Sequence, residues 1–91
     1  MGRPKKNRIT NCNPSAYYFK PRGIPMTDLD SIVLERDEVE AIRLADLNSL
    51  SHEDAALKMQ ISRATFGRIV KSARNKIANS ILNGKAIEIK K

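Results

Sequence analysis

The tightest constraint in this chain lies in residues 62–83, where Phe66, Ile69, Val70, Ala73, Ile77 and Ile81 recur along one stripe at helical spacing. The spacing predicts a helix from Ser62, a natural N-cap residue, to Asn83, with Gly84 suited to the position just past its end. The opposite face centres on Ala64, Arg68, Lys71 and Asn75. A single helix cannot bury its own stripe, so other elements must cover it. With no Trp, two Phe and two Tyr, the covering core is mostly aliphatic.

Two further helices are expected upstream. Asp37 reads as an N-cap, with Glu40 three residues on completing a capping box. Val39, Ile42, Leu44 and Ala45 give that helix its apolar side, and it should end near Asp46–Ser49. The next helix starts at Ser51, with Glu53 and Asp54 in its first turn, where negative charge meets the helix dipole. Ala55, Ala56 and Met59 form its buried side, and the pattern breaks at Gln60–Ile61. Two short segments stay open. Residues 31–35 suit either an extended strand or an opening helical turn, and Ala86–Lys90 alternates like a strand that could pair with Ile32–Leu34.

Residues 52–71 match the helix-turn-helix template position by position. Ala56 is small where the second helix crosses the first, and Met59, Ile61, Phe66 and Ile69 sit where apolar residues lock the two together. Gln60 departs from the template, which usually has Gly there because the residue often adopts positive φ. The expected fold is therefore mainly α, a three-helix helix-turn-helix domain over residues 28–91 with a possible short C-terminal strand. Residues 1–27 read as an extended arm punctuated by Pro4, Pro14, Pro21 and Pro25, with Tyr17, Tyr18 and Phe19 tacking its second half onto the domain.

Charge is segregated along the chain. The net formal charge is +7, yet residues 1–22 hold six Lys or Arg and no acid. Residues 28–54 hold nine acids against Arg36 and Arg43, and residues 55–91 hold nine bases against Glu88 alone. Such a distribution suits a face and a tail built for a polyanion. In a helix-turn-helix the N-terminal part of the second helix enters the major groove of DNA. Arg63, Thr65 and Arg68 are then the candidates for base contacts, since Arg can bond guanine O6 and N7 together and Thr can donate, accept or touch a thymine methyl. Ser62, Lys71 and Arg74, with Lys58 from the preceding helix, are candidates for phosphate contacts, and Gly67 leaves room for close backbone approach. Lys76, Lys85, Lys90 and Lys91 read as solvated. The segment Gly2–Lys6, with Arg3, Lys5 and Lys6, resembles the core of a minor-groove AT-hook, and the competing reading is a basic tail that meets phosphates nonspecifically.

These pieces together resemble a known family. The chain is similar to the uncharacterised family of small predicted DNA-binding proteins of bacteria and archaea whose helix-turn-helix is like that of sigma-factor region four. The likeness rests on R-P-K-K near the start, F-K-P-R-G-I-P at Phe19–Pro25, the run at Asp37–Asp46 and the run at Glu53–Ile69, extended by residues 73–78 and 84–89. It implies a sigma-region-four-like or winged-helix-like domain and no reaction. Some members of the family carry a further C-terminal domain like those that handle the iron-molybdenum cofactor of nitrogenase. That domain is expected to be absent from this chain, and no cofactor is expected.

Other function classes are less well supported. His52 lies beside Glu53 and Asp54, but sequential helix neighbours point apart and no second His exists to complete a metal or acid–base site. It reads as an exposed residue of a capped first turn. Cys12 is the single cysteine, which excludes an intrachain disulfide, and it has no base partner in sequence. An enzyme is therefore not expected. A module that binds the transcription machinery or another regulator through the acidic 28–54 segment is the main alternative. RNA binding through Tyr17, Tyr18 and Phe19 lacks a recognition signature. Ile81, Leu82, Ile87 and Ile89 suit either a homodimer interface or the core of a monomer. With no apolar run near the ~18 residues that span a bilayer, a cytoplasmic, nucleoid-associated protein is expected.

Overall fold

A computed structural model describes residues 9–91. In chain order, strand β1 (Tyr18–Phe19) and a 3-10 turn (Met26–Asp28) lead to strand β2 (Ser31–Leu34). Helix α1 (Arg36–Ile42) follows and runs into a π-helical turn (Arg43–Leu47). Helices α2 (His52–Met59) and α3 (Arg63–Asn83) come next, and strand β3 (Ala86–Ile89) ends the order. Among the described residues the fold is mostly helical, with three α-helices and one small three-stranded sheet.

The 31–35 segment resolves as a strand. β2 runs parallel to β3, with Ile32 opposite Ile87 and Leu34 opposite Ile89, so the connection between them contains all three helices. β3 is the central strand, because β1 pairs antiparallel on its other side with Tyr18 opposite Glu88 and Phe19 opposite Ile87. The second half of the arm is thus held by backbone pairing. Phe19, expected to pack, is half exposed at 52%, while Tyr17 and Tyr18 are half-buried.

The first helix begins two residues earlier than expected. Glu35, in extended conformation at ψ 161°, is its N-cap, and its backbone N–H donates to Glu38 Oε1 at 2.8 Å. Asp37 therefore lies in the first turn, and Glu40 is free for another role. The shift follows from β2, which ends at Leu34 and leaves Glu35 as the hinge residue. It also turns a different face inward: Glu38, Glu40, Ala41 and Leu44 are buried, whereas Val39, Ile42 and Ala45 are half-buried.

Ala41, Leu44, Ala55, Ala56, Met59, Phe66, Ile69 and Val70 form the core. Ala55 and Ala56 are almost fully buried, which lets α2 lie close to its neighbours, and Phe66 fills the centre at 0% exposure. His52 is half-buried rather than exposed. Its ring meets the Phe66 ring edge-on, 5.2 Å between centroids. Past Ala73 the stripe changes. Ile77 is half-buried and Ser80 is buried, but Ile81 is 72% exposed and so is Leu82 at 81%. At 100° per residue Ile81 has drifted to the stripe's edge, where neither the helices nor the sheet reaches it.

Two buried carboxylates tie these elements together. Glu38 Oε1 accepts from Lys76 Nζ at 2.7 Å, and Glu38 Oε2 from the Ser72 hydroxyl at 2.6 Å, so α1 is fastened to α3. Lys76 also donates to the Val33 carbonyl at 2.7 Å, which adds β2 to the network and corrects its reading as a solvated lysine. Burial pushes the Glu38 carboxyl up, but the hydrogen bonds from Lys76, Ser72 and the Glu35 N–H outweigh it and hold it below its usual range. Glu40 is held low in the same way, by Arg43 and by the backbone N–H groups of Asn11 and Cys12.

Candidate nucleic-acid interface

The α2–α3 corner is built by its turn. Gln60 adopts φ 56°, ψ 46°, the left-handed region in which side chains are strained. Its N–H bonds back to Leu57 O at 3.1 Å and that of Ile61 to Ala56 O at 3.1 Å, so the last carbonyls of α2 are satisfied within the turn. The positive φ that makes Gly usual at this position is therefore present, and Gln supplies it. Ile61 packs half-buried against the core, and Ser62 redirects the chain as the N-cap of α3.

Three polar side chains at the start of α3 are linked one turn apart. Ser62 Oγ accepts from the Thr65 N–H at 3.0 Å and donates to Thr65 Oγ1 at 2.9 Å. Arg68 Nη2 then donates to Thr65 Oγ1 at 3.3 Å. Ser62, Arg63, Ala64, Arg68 and Lys71 are exposed, while Thr65 and Gly67 are half-buried. Ala64, Gly67, Arg68, Lys71 and Asn75 fall on the face turned away from the buried stripe, with Arg63 and Arg74 along one flank. A Cβ built at Gly67 would meet nothing within 4 Å, so the fold itself gives no steric reason for Gly in this helix.

The charges of α2 and α3 divide into two kinds, and Lys58, on α2, lines a cleft with Glu40, Arg43 and Asn48 rather than standing on the α3 face. Lys58, Arg63, Arg68 and Lys71 are exposed and take part in no ion pair among the described residues. Arg74 is engaged: its Nη2 and Nε donate to the two Asp46 oxygens at 2.6 and 3.2 Å, tying α3 to the π-helical turn after α1. The Arg74 hydrogen bonds hold the Asp46 carboxyl below its usual range, and the Asp46 carboxylate pushes the Arg74 guanidinium up. The acidic 28–54 segment is thus partly consumed inside the fold, through Glu38, Glu40 and Asp46. Only the long-range partners reveal this, and no local sequence signal links Glu38 to Lys76 or Asp46 to Arg74.

The proposed arm residues Arg3, Lys5 and Lys6 lie outside the described residues. The root of that segment is fixed, because the Ile9 N–H donates to Met59 O at 3.2 Å at the end of α2. No group of three or more His, Cys, Asp or Glu side chains among the described residues is placed to hold a metal ion. No helix among them is long and apolar enough to cross a membrane.

A family model described as a protein of unknown function, DUF134, matches residues 1–91 in full. The chain belongs to this family. Its curated relatives include a UPF0251 protein of Desulfosudis oleivorans, 51% identical over 98% of this chain and 64% of the relative. A UPF0251 protein of Vibrio vulnificus is also 51% identical, over 98% of this chain and 89% of its own length. One of Thermoanaerobacter pseudethanolicus is 48% identical over 98% of this chain and 75% of the relative. The chain thus spans just under two thirds of the first of these relatives and more of the others. No solved structure matches it.

Proposed function

We propose that this protein binds double-stranded DNA as a helix-turn-helix reader, placing the N-terminal half of α3 in the major groove. The carrying observation is the combination at the α2–α3 corner. A left-handed turn residue sets α3 against α2, and the face of α3 left open carries Arg63, Arg68 and Lys71 with no carboxylate paired to them. Free cations aimed outward from a helix are what a phosphate backbone neutralises.

Within that reading Arg63, Thr65 and Arg68 are the base readers, and the Ser62–Thr65–Arg68 hydrogen bonds hold Arg68 over the start of the helix. Ser62, Lys71 and Lys58 hold phosphates. Arg74 belongs to that group only if DNA competes it away from Asp46, so it contributes less. Ile9, the first described residue, is held at the end of α2, and the basic segment that precedes it in sequence suits contact with the flanking backbone or minor groove. Regulation of transcription from the nucleoid is the role such a reader would serve.

The test is a binding titration on labelled duplexes, with the four single alanine variants of Arg63, Arg68, Lys71 and Lys85. Loss at the first three with Lys85→Ala unchanged supports the interface. Equal loss at all four would reduce it to general charge attraction, and the absence of binding by the parent protein would refute it.

A further inference from the structure

A concave site lies between the arm, α1 and the end of β3. Its volume is about 400 Å³, within the ~300–1,000 Å³ typical of small-molecule sites. Three cationic side chains line it, Arg36 from the first turn of α1 and Lys90 and Lys91 beyond β3, and no acidic side chain among the described residues does. Apolar groups line it as well: the Tyr17 ring, Val39 and Ile89. The Lys91 ammonium lies 5.2 Å from the centre of the Tyr17 ring, so one cation is already positioned over the aromatic wall. Thr10 and Asn13, from the arm, add neutral polar groups at the rim.

We propose that this cleft binds a small organic anion, with a carboxylate or phosphate head among Arg36, Lys90 and Lys91 and a flat apolar body against Tyr17, Val39 and Ile89. The cations select the head's charge, and Arg36 can meet either head with two parallel hydrogen bonds. The adjoining groove of about 510 Å³ shares Tyr17, Ile89 and both lysines, but Glu88 lines it and lowers its fitness for an anion. Neither cleft contains any of the α3 residues assigned to DNA, so the two sites are separate. The cleft wall does lead to the DNA side: Cys12 lines it, and Ile9, three residues upstream, bonds to Met59 at the end of α2. An occupant would brace the segment from which the basic arm emerges.

Cys12, the single thiol of the chain, is a built-in reporter because it is half-buried in this wall. The experiment measures its alkylation rate in the full chain at fixed ionic strength, with phenyl phosphate, benzoate or benzylammonium added. Saturable slowing by one or both anions in the millimolar range or below, at least about threefold, supports the site, and the more effective head names the natural one. Benzylammonium should give no protection, and Arg36→Ala and Lys90→Ala should each weaken protection by about tenfold. Lys90 lies at the edge of the fold, so its variant remains informative if Arg36→Ala loses stability. Absence of protection by both anions would overturn the proposal. So would equal protection by the cation, or protection unchanged in both variants. None of these outcomes depends on DNA binding.

Discussion

Arg43 grips Glu40 with two hydrogen bonds, Nε to Oε1 at 3.0 Å and Nη2 to Oε2 at 2.8 Å, around a carboxylate that is only 2% exposed. The Asn11 and Cys12 N–H groups reach the same carboxylate, so one side chain fastens the arm to α1. Glu40→Gln keeps the shape but removes the charge and part of the acceptor capacity. It should destabilise the fold by about 1–3 kcal/mol, since buried donors are left poorly paired. Chemical denaturation checks this, and Cys12 should react faster as the arm loosens.

Stability should fall at acid pH. Glu38, Glu40 and Asp46 all titrate below their ordinary values in the folded protein, so the unfolded chain takes up protons first as pH falls. Their contribution is complete above the ordinary carboxylate range near pH 4.5 and is lost as pH drops through the lower folded values. Thermal melts from pH 7 down to 3 should show a falling midpoint over that window, with the fall reduced in Glu38→Gln. Asp46 contributes least, because its pair with Arg74 is largely exposed and screened.

Gln60→Gly should stabilise the protein by about 0.5–1 kcal/mol. Gln60 is exposed and adopts positive φ, so the change removes strain and forfeits little contact. A measured loss of stability would show that the Gln side chain has a role the turn geometry does not require.

Gly67 separates stability from function. With open space where its Cβ would be, Gly67→Ala should raise stability by about 0.5–1 kcal/mol through helix propensity. If DNA lies against this face, the same change should weaken binding about tenfold by blocking close approach. A stabilised variant with unchanged DNA affinity would place the contact elsewhere on α3.

Much of this architecture is legible in the sequence because its determinants are local. Ser51 caps α2, Ser62 caps α3, Gly84 ends it in the left-handed region, and each signal lies within a few residues of its effect. The strands were readable as alternation at 86–90, but their parallel pairing depends on a crossover through three helices. Asp37 misleads as a cap because two acids nearby, Glu35 and Glu38, satisfy the same geometry once β2 ends at Leu34. Ile81 misleads because hydrophobic spacing cannot say where a helix outruns its covering layer. At the candidate interface, Arg68 and Lys71 emerge on the open side of α3 as their spacing implies, with Arg63 exposed on its flank. Arg74 and Lys76 are engaged by acids 28 and 38 residues away, which no window of sequence reveals.

The most direct test of the central claim is selection from a random duplex pool with the full chain, sequenced after rounds at low and at near-physiological salt. Base reading by α3 predicts an enriched motif that persists at the higher salt and is lost with Arg68→Ala. Recovery of DNA at neither salt would contradict it and move the protein-interaction alternative to first place. Recovery without any motif, vanishing as salt rises, would contradict the base-reading roles of Arg63, Thr65 and Arg68.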